Sequence, residues 1–166
     1  MPSESERVYV VSLSADSPSG SRISWRDIVQ LKRRFFLPIG GLFPKEPVSW
    51  LGFRFDSKLQ AVHKVERVIE VPNLAAVASH FPELDPAAFD RPADPTHALP
   101  HFVYTLGESI ELEHEIVNGQ SVVGARRIWA DLDLLLSCES IAEAERLTRH
   151  RIARAAILPK GDVAAS

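Results

Sequence analysis

The sequence predicts an α+β fold built as a single domain over residues 1–166, and three observations carry that expectation. The stretch "SWLGFRFDSKLQAVHKVERVIEVPN", residues 49–73, alternates apolar and polar side chains on both sides of "DS", which is the pattern of a β-hairpin. Two helix starts stand out, Ser24 with Asp27 and Ser140 with Glu143, each a hydroxyl three residues ahead of an acid. At 166 residues, with 45% apolar and 25% charged side chains, the chain suits one well-packed core better than two.

The elements follow in order. Val8 to Leu13 in "RVYVVSLS" is a short β-branched run closed by "SADSPSGSR", a buried strand and its loop. A helix starts at Ser24. Ile28, Leu31 and Phe35 recur at three- and four-residue steps, Arg26, Gln30, Arg33 and Arg34 lie largely on the other side, and Pro38 with Gly40-Gly41 ends the helix. In the hairpin, Leu51, Phe53 and Phe55 alternate with Trp50, Gly52 and Arg54. The return strand sets Leu59, Ala61, His63, Val65, Arg67, Ile69 and Val71 on one face, against Gln60, Lys64, Glu66 and Glu70. A histidine and an arginine thus fall among aliphatics, unless a one-residue bulge turns part of the set outward.

"LAAVASHF" reads as a short helix, and "PELDPAAFDRPADPTHALP" is too rich in proline for regular structure, so it is either a lid or an extended surface loop. "HFVYTL" and "IELEHEI" alternate as two further strands, the second with a solvent-facing row of Glu111, Glu113 and Glu115. "NGQ" makes a turn, and "SVVGARRIWADLDLLL" is a strand running into a helical turn. Ser140 then opens a C-terminal helix with Ile141, Ala144, Leu147 and Ile152 in its apolar stripe, and the tail frays from about residue 158.

Charge is unevenly placed. Between Gly20 and Arg67 ten basic and four acidic residues leave +6, so the remainder carries −9 of the total of −3. A basic part suggests a face for an anionic partner, and an acidic remainder suggests a face for a protein partner. No run approaches the ~20 apolar residues of a spanning helix, and "MPSESERVYVV" lacks the layout of a signal peptide, so no membrane contact and a cytoplasmic location are expected. The lone Cys138 has no partner for a disulfide and reads as a small core residue.

The better-known catalytic scaffolds are missing: there is no G-x-S-x-G, P-loop, G-x-G-x-x-G or H-E-x-x-H. No metal and no cofactor are expected. His97 and His101 are four apart, but Pro100 opposes the helix that would align them. Asp131 and Asp133 in "DLD" precede an apolar run, where a helix N-terminus favours acids over a metal. Asp56 and Lys58 in "FDSK" sit at a hairpin tip rather than on a strand feeding a pocket. Trp25 and Trp50 lie within the basic region, and aromatic faces beside cations are the pairing that stacks a base while neutralising phosphate. Each is also a residue type common in cores, as are a half-buried His63 and a paired Arg67.

The strand "YVVSLS", the helix start "SWRDIV", the hairpin with "AVHKVERVIEVP", the late strand "HFVYTL" and the turn "DLDLLL" together resemble the PUA-like superfamily, nearest to its EVE branch. The resemblance covers about two-thirds of the chain in short pieces. It implies a small, bent β-barrel with flanking helices and a pocket that in several members takes a flipped, often modified, base. Carried onto this chain, the implied pocket falls at Ser12, Ser24, Trp25, Trp50 and Phe53, joined by His63 and Arg67 of the hairpin. Arg26, Arg33, Arg34, Arg54 and Lys64 are placed to meet phosphate. Where the EVE branch follows its helix with an asparagine- and arginine-containing segment, this chain has "FFLPIGGLFPKEP". The expected function is a non-catalytic reader of DNA or RNA, recognising a modified or flipped base, in a bacterial defence or restriction setting. Two alternatives stay open: a small hydrolase or ribonuclease using His63 as general base with Arg67 or Lys64, or a protein-interaction subunit.

Overall fold

The computed structural model describes residues 6–17, 23–81, 95–124 and 126–157. Arg22, most of the proline-rich connection and the tail from 158 lie outside the described residues. The hairpin forms where the alternation puts it, as β3 (Trp50–Phe55) and β4 (Lys58–Val71). Asp56 and Ser57 between them have φ of +54° and +64°, the pair of left-handed residues that matches a two-residue turn to the twist of its strands. The remaining elements are β1 (Arg7–Ser12), α1 (Trp25–Gln30), β2 (Arg34–Pro38), α2 (Leu74–Val77), β5 (His101–Ser109), β6 (Ile128–Asp131), α3 (Leu132–Ser137) and α4 (Ile141–Ile157). The strands hydrogen-bond in the order β2-β5-β4-β3-β1-β6, so the fold is α+β with one six-stranded sheet.

The chain divides into two compact units. The first comprises Met1–Ser12, Gly52–Ala61 and Glu111–Ser166; the second comprises Leu13–Leu51 and Val62–Ile110.

In the first unit β1 and β6 pair antiparallel, with Val8 opposite Ala130 and Tyr9 opposite Trp129. Val8, Val10, Ile128 and Ala130 are buried on one face, and the rings of Tyr9 and Trp129 meet at 4.7 Å on the other. A Cβ on Gly52 would stand 3.1 Å from side-chain carbons of Val8 and Val10, so the close approach of β3 depends on glycine. α4 begins as the capping pattern predicts, Glu143 N donating to Ser140 Oγ at 3.1 Å. Ile141, Ala144 and Thr148 are buried, but the apolar stripe stops there: Ile152 is exposed, contrary to the sequence pattern. The expected strand "IELEHEI" does not form either. Its C-terminal end is anchored by Leu59 N donating to Ile116 O at 2.8 Å, with Val117 just beyond bridging Lys58 and Ser140, and His114 Nε2 from its middle donates to Cys138 O at 2.8 Å. Alternation had to find a neighbouring strand to become a ladder, and β5 ends at Ser109.

In the second unit Ser24 caps α1 as expected, its Oγ accepting from Asp27 N at 3.1 Å. The helix is shorter than the three-four pattern implies. It ends by Leu31, Arg33 takes a left-handed φ of +51°, and Arg34–Pro38 continues as β2, paired antiparallel with β5. Phe35, Phe36 and Leu37 are all buried, whereas Leu31 is 72% exposed. A strand covered on both faces reads as a continuous apolar run, which periodicity cannot separate from a helix. On one face Phe36 and Val103 pack with Ile28 of α1 and with Val71, Leu74, Val77, Ala78 and Phe81. On the other, the Phe102 and Tyr104 rings lie 6.0 Å apart and the Tyr104 hydroxyl accepts from Val48 N at 3.4 Å. α2 is capped by Asn73, whose Oδ1 accepts from Ala76 N at 2.8 Å.

Candidate functional site

Three strands of the second unit, in the order β2-β5-β4, share one register. Arg34 lies opposite Thr105, and Thr105 opposite Arg67. Residues directly opposite in antiparallel pairs share a face, so two guanidinium side chains flank one hydroxyl on a single rung. Their backbones stand about 10 Å apart, two strand spacings. Arg34 Nη1 donates to Thr105 Oγ1 at 3.0 Å. Arg67 is exposed, with no hydrogen-bond or ion-pair partner among the described residues. The next rung on that face, Phe36, Val103 and Ile69, passes beneath the helices, and Trp25 lies half-buried against Phe36 at 4.9 Å and Phe35 at 5.7 Å. Cations therefore follow directly on an aromatic cluster along one sheet face.

Arg67 reaches this position because β4 and β5 are irregular above it. Their register shifts between His63 and Val65 and again between Val65 and Arg67. These β-bulges re-aim the side chains, turning Arg67 to solvent while His63 stays 6% exposed. Gly107 sits opposite, and a Cβ there would meet Glu66 Oε1 at 3.0 Å and the Lys64 carbonyl at 3.3 Å. His63 Nδ1 donates to Gly107 O at 2.8 Å, satisfying a carbonyl beside the irregular ladder. Burial pushes the His63 pKa down, the Gly107 hydrogen bond pulls it partly back, and the charge of Arg33 lowers it again. His63 is thus held neutral near pH 7 as a clip on the bulge. Beside the bulge lies an open groove of about 270 Å³, lined by Pro47, Val48, Ser49 and the run Lys64 to Val68. Neither His63 nor Trp50 is among its walls.

The other expected site residues fall in several places. Lys64 and Arg33 are exposed near the bulge region of the second unit, and Lys64 lines the groove. Ser24 is occupied as a helix cap, Arg26 is half-buried on α1, and Trp50 is half-buried at the start of β3. Ser12, Phe53 and Arg54 belong to the first unit. Ser12 is half-buried at the end of β1 and Phe53 is fully buried. Arg54 departs most from expectation as a phosphate contact. It is 3% exposed, and its Nη2 donates to Gly124 O at 2.9 Å and Arg126 O at 2.8 Å. Burial and the nearby Arg126 charge lower its pKa. It braces a loop from within and does not face solvent.

Sequence reasoning did not find Thr105, Pro47 or Ser49, whose roles depend on register. A signal for the bulge was present in Gly107, since glycine inside a strand pattern often marks one. It also missed a network in the first unit. Asp131, at the β6–α3 junction, pairs with Arg7 at 3.2 Å and Arg151 at 3.2 Å, and Arg151 also reaches Asp133 at 2.8 Å. The Arg151 hydrogen bond holds the Asp133 carboxyl below its ordinary pKa. Asp133 does lie in the first turn of α3, as the helix reading of "DLD" expected. Among the described residues no group of three or more His, Cys, Asp or Glu side chains is arranged for a metal ion, and no helix is long and apolar enough to cross a membrane. No family model matches the chain, and neither curated proteins nor solved structures yielded a significant match.

Proposed function

We propose that this protein binds nucleic acid through the sheet face of its second unit, Arg34 and Arg67 meeting the phosphate backbone and the bulge groove beside Lys64 admitting a base. One observation carries the reading: the register that sets two guanidinium groups on either side of the Thr105 hydroxyl, on the face that also holds Trp25. Arginine presents a fork of donors suited to phosphate oxygens, and its charge releases counterions on binding. A groove of about 270 Å³ is small, which favours a single extruded or single-stranded base over a duplex edge. The sequence resemblance to PUA-like domains of the EVE type supports the same reading, as does the sheet flanked by helices. On this view the chain is a reader of a modified or flipped base, a cytoplasmic protein at work in a defence or restriction setting. His63 acts through the bulge, because its Nδ1 is engaged by Gly107 O and burial keeps it neutral.

The test is fluorescence anisotropy with labelled single-stranded and duplex DNA and RNA over a salt series. Log affinity should fall linearly with log salt, and Arg34→Gln with Arg67→Gln should reduce the slope by about 1.4–1.8. A wild-type chain that binds none of these at low salt would end the reading.

A further inference from the structure

We propose that α4 carries a second, separate nucleic-acid contact, a stripe made of Arg146, His150 and Arg154 that takes successive backbone phosphates. The three residues are four apart, so they share one side of the helix and climb it in steps of about 6 Å. All three are exposed, and none has a hydrogen-bond or ion-pair partner among the described residues. That sets them apart from the other cations around them. Arg126 and Arg149 are paired with Glu145, Arg7 with Asp131, and Arg151 with Asp131 and Asp133. Glu145, Asp131 and Asp133 are thus engaged by other cations, and Glu143 stands in the first turn, three residues before Arg146.

Arg146 and Arg154 stand eight residues, about 12 Å, apart along the helix, with the His150 imidazole between them. The negative end of the helix dipole favours the cation at Arg154, in the last turn, and does not reach Arg146 in the middle. Among the described residues no hydrogen bond or ion pair of these side chains accounts for the row. A polyanion does, because each phosphate that meets an arginine releases a counterion. The occupant inferred is the phosphodiester backbone; the stripe offers charge at regular intervals and no exposed aromatic face for reading a base.

The proposal takes the identity of the polyanion from the reading of the sheet face, and the experiment separates the two. Arg146→Gln/Arg154→Gln is prepared in the full chain beside Arg34→Gln/Arg67→Gln; all four positions are at least partly exposed, and circular dichroism checks the fold of each. Affinity for a long single-stranded oligonucleotide is measured across a salt series. The stripe variant should show a log–log slope shallower by about 1.4, two contacts at ~0.7 each for a single strand. A wild-type slope in the stripe variant, with a reduced slope in the sheet variant, overturns the inference and leaves the sheet reading standing. A reduced slope in the stripe variant alone supports the inference and removes the sheet reading. Loss of binding to anionic phospholipid vesicles or to polyglutamate, with nucleic-acid binding unchanged, overturns the assignment of the occupant.

Discussion

Replacing His63 separates a structural clip from a ligand-contacting group. His63→Leu keeps much of the volume but leaves Gly107 O without the donor now 2.8 Å away, and a buried carbonyl so stranded costs about 1–3 kcal/mol. For a chain of this size that is a fall in Tm of roughly 2–12 °C. His63→Asn retains an N–H close to the position of Nδ1 and should cost much less. The two variants also differ from the wild type in acid. His63 and His101 both have pKa values depressed below the ordinary 6.5, in each case first by burial. The unfolded chain therefore takes up protons that the folded chain refuses, so stability is full above pH 6.5 and declines as pH falls below it. Two histidines set a ceiling of about 2.7 kcal/mol per pH unit on that decline, and removing His63 halves it. Differential scanning calorimetry from pH 8 to pH 5 measures both effects. Equal stability of the Leu variant and the wild type at pH 8, or an unchanged acid slope in either variant, would refute the clip. An Asn variant that folds normally yet loses oligonucleotide affinity would return His63 to the binding surface.

Two shorter predictions concern the hairpin and the loop it braces. Ser57→Gly removes the steric cost of a left-handed φ of +64° at an exposed turn position and should raise stability by about 0.5–1 kcal/mol in urea titration; a loss of stability would mean that the turn is held by its side chain. Arg54→Met strands the carbonyls of Gly124 and Arg126 and should cost about 1–3 kcal/mol. Affinity per folded molecule should be unchanged in that variant, and a reduced salt slope would restore Arg54 as a phosphate contact.

What was legible in the sequence was local. The hairpin, its two-residue turn and the capped starts of both helices are set by side chains within a few positions of one another, and each appears where the pattern placed it. The errors arise where a distant partner decides. "RRFFLP" became a strand because β5 accepted it and both its faces were covered, while "IELEHEI" stayed irregular for want of a strand to pair along it. The candidate site shows the same division. Arg34 and Arg67 were visible as charges, but their alignment across Thr105 depends on two register shifts in β4 and β5, and no residue of one strand encodes the register of another. Arg54 misled because alternation places a side chain on a face without saying whether that face meets water.

The pairing of β1 with β6 also bears on the order in which the protein is made. Arg7 and Asp131 meet although they are 124 positions apart in the chain, whereas the strands and helices of the second unit are complete once Ile110 has been synthesised. During translation the second unit has all its residues before β6 exists, and β1 spends that interval with Val8 and Val10 beside an open strand edge. The segment most exposed to wrong partners is thus made long before β6, the strand that protects it.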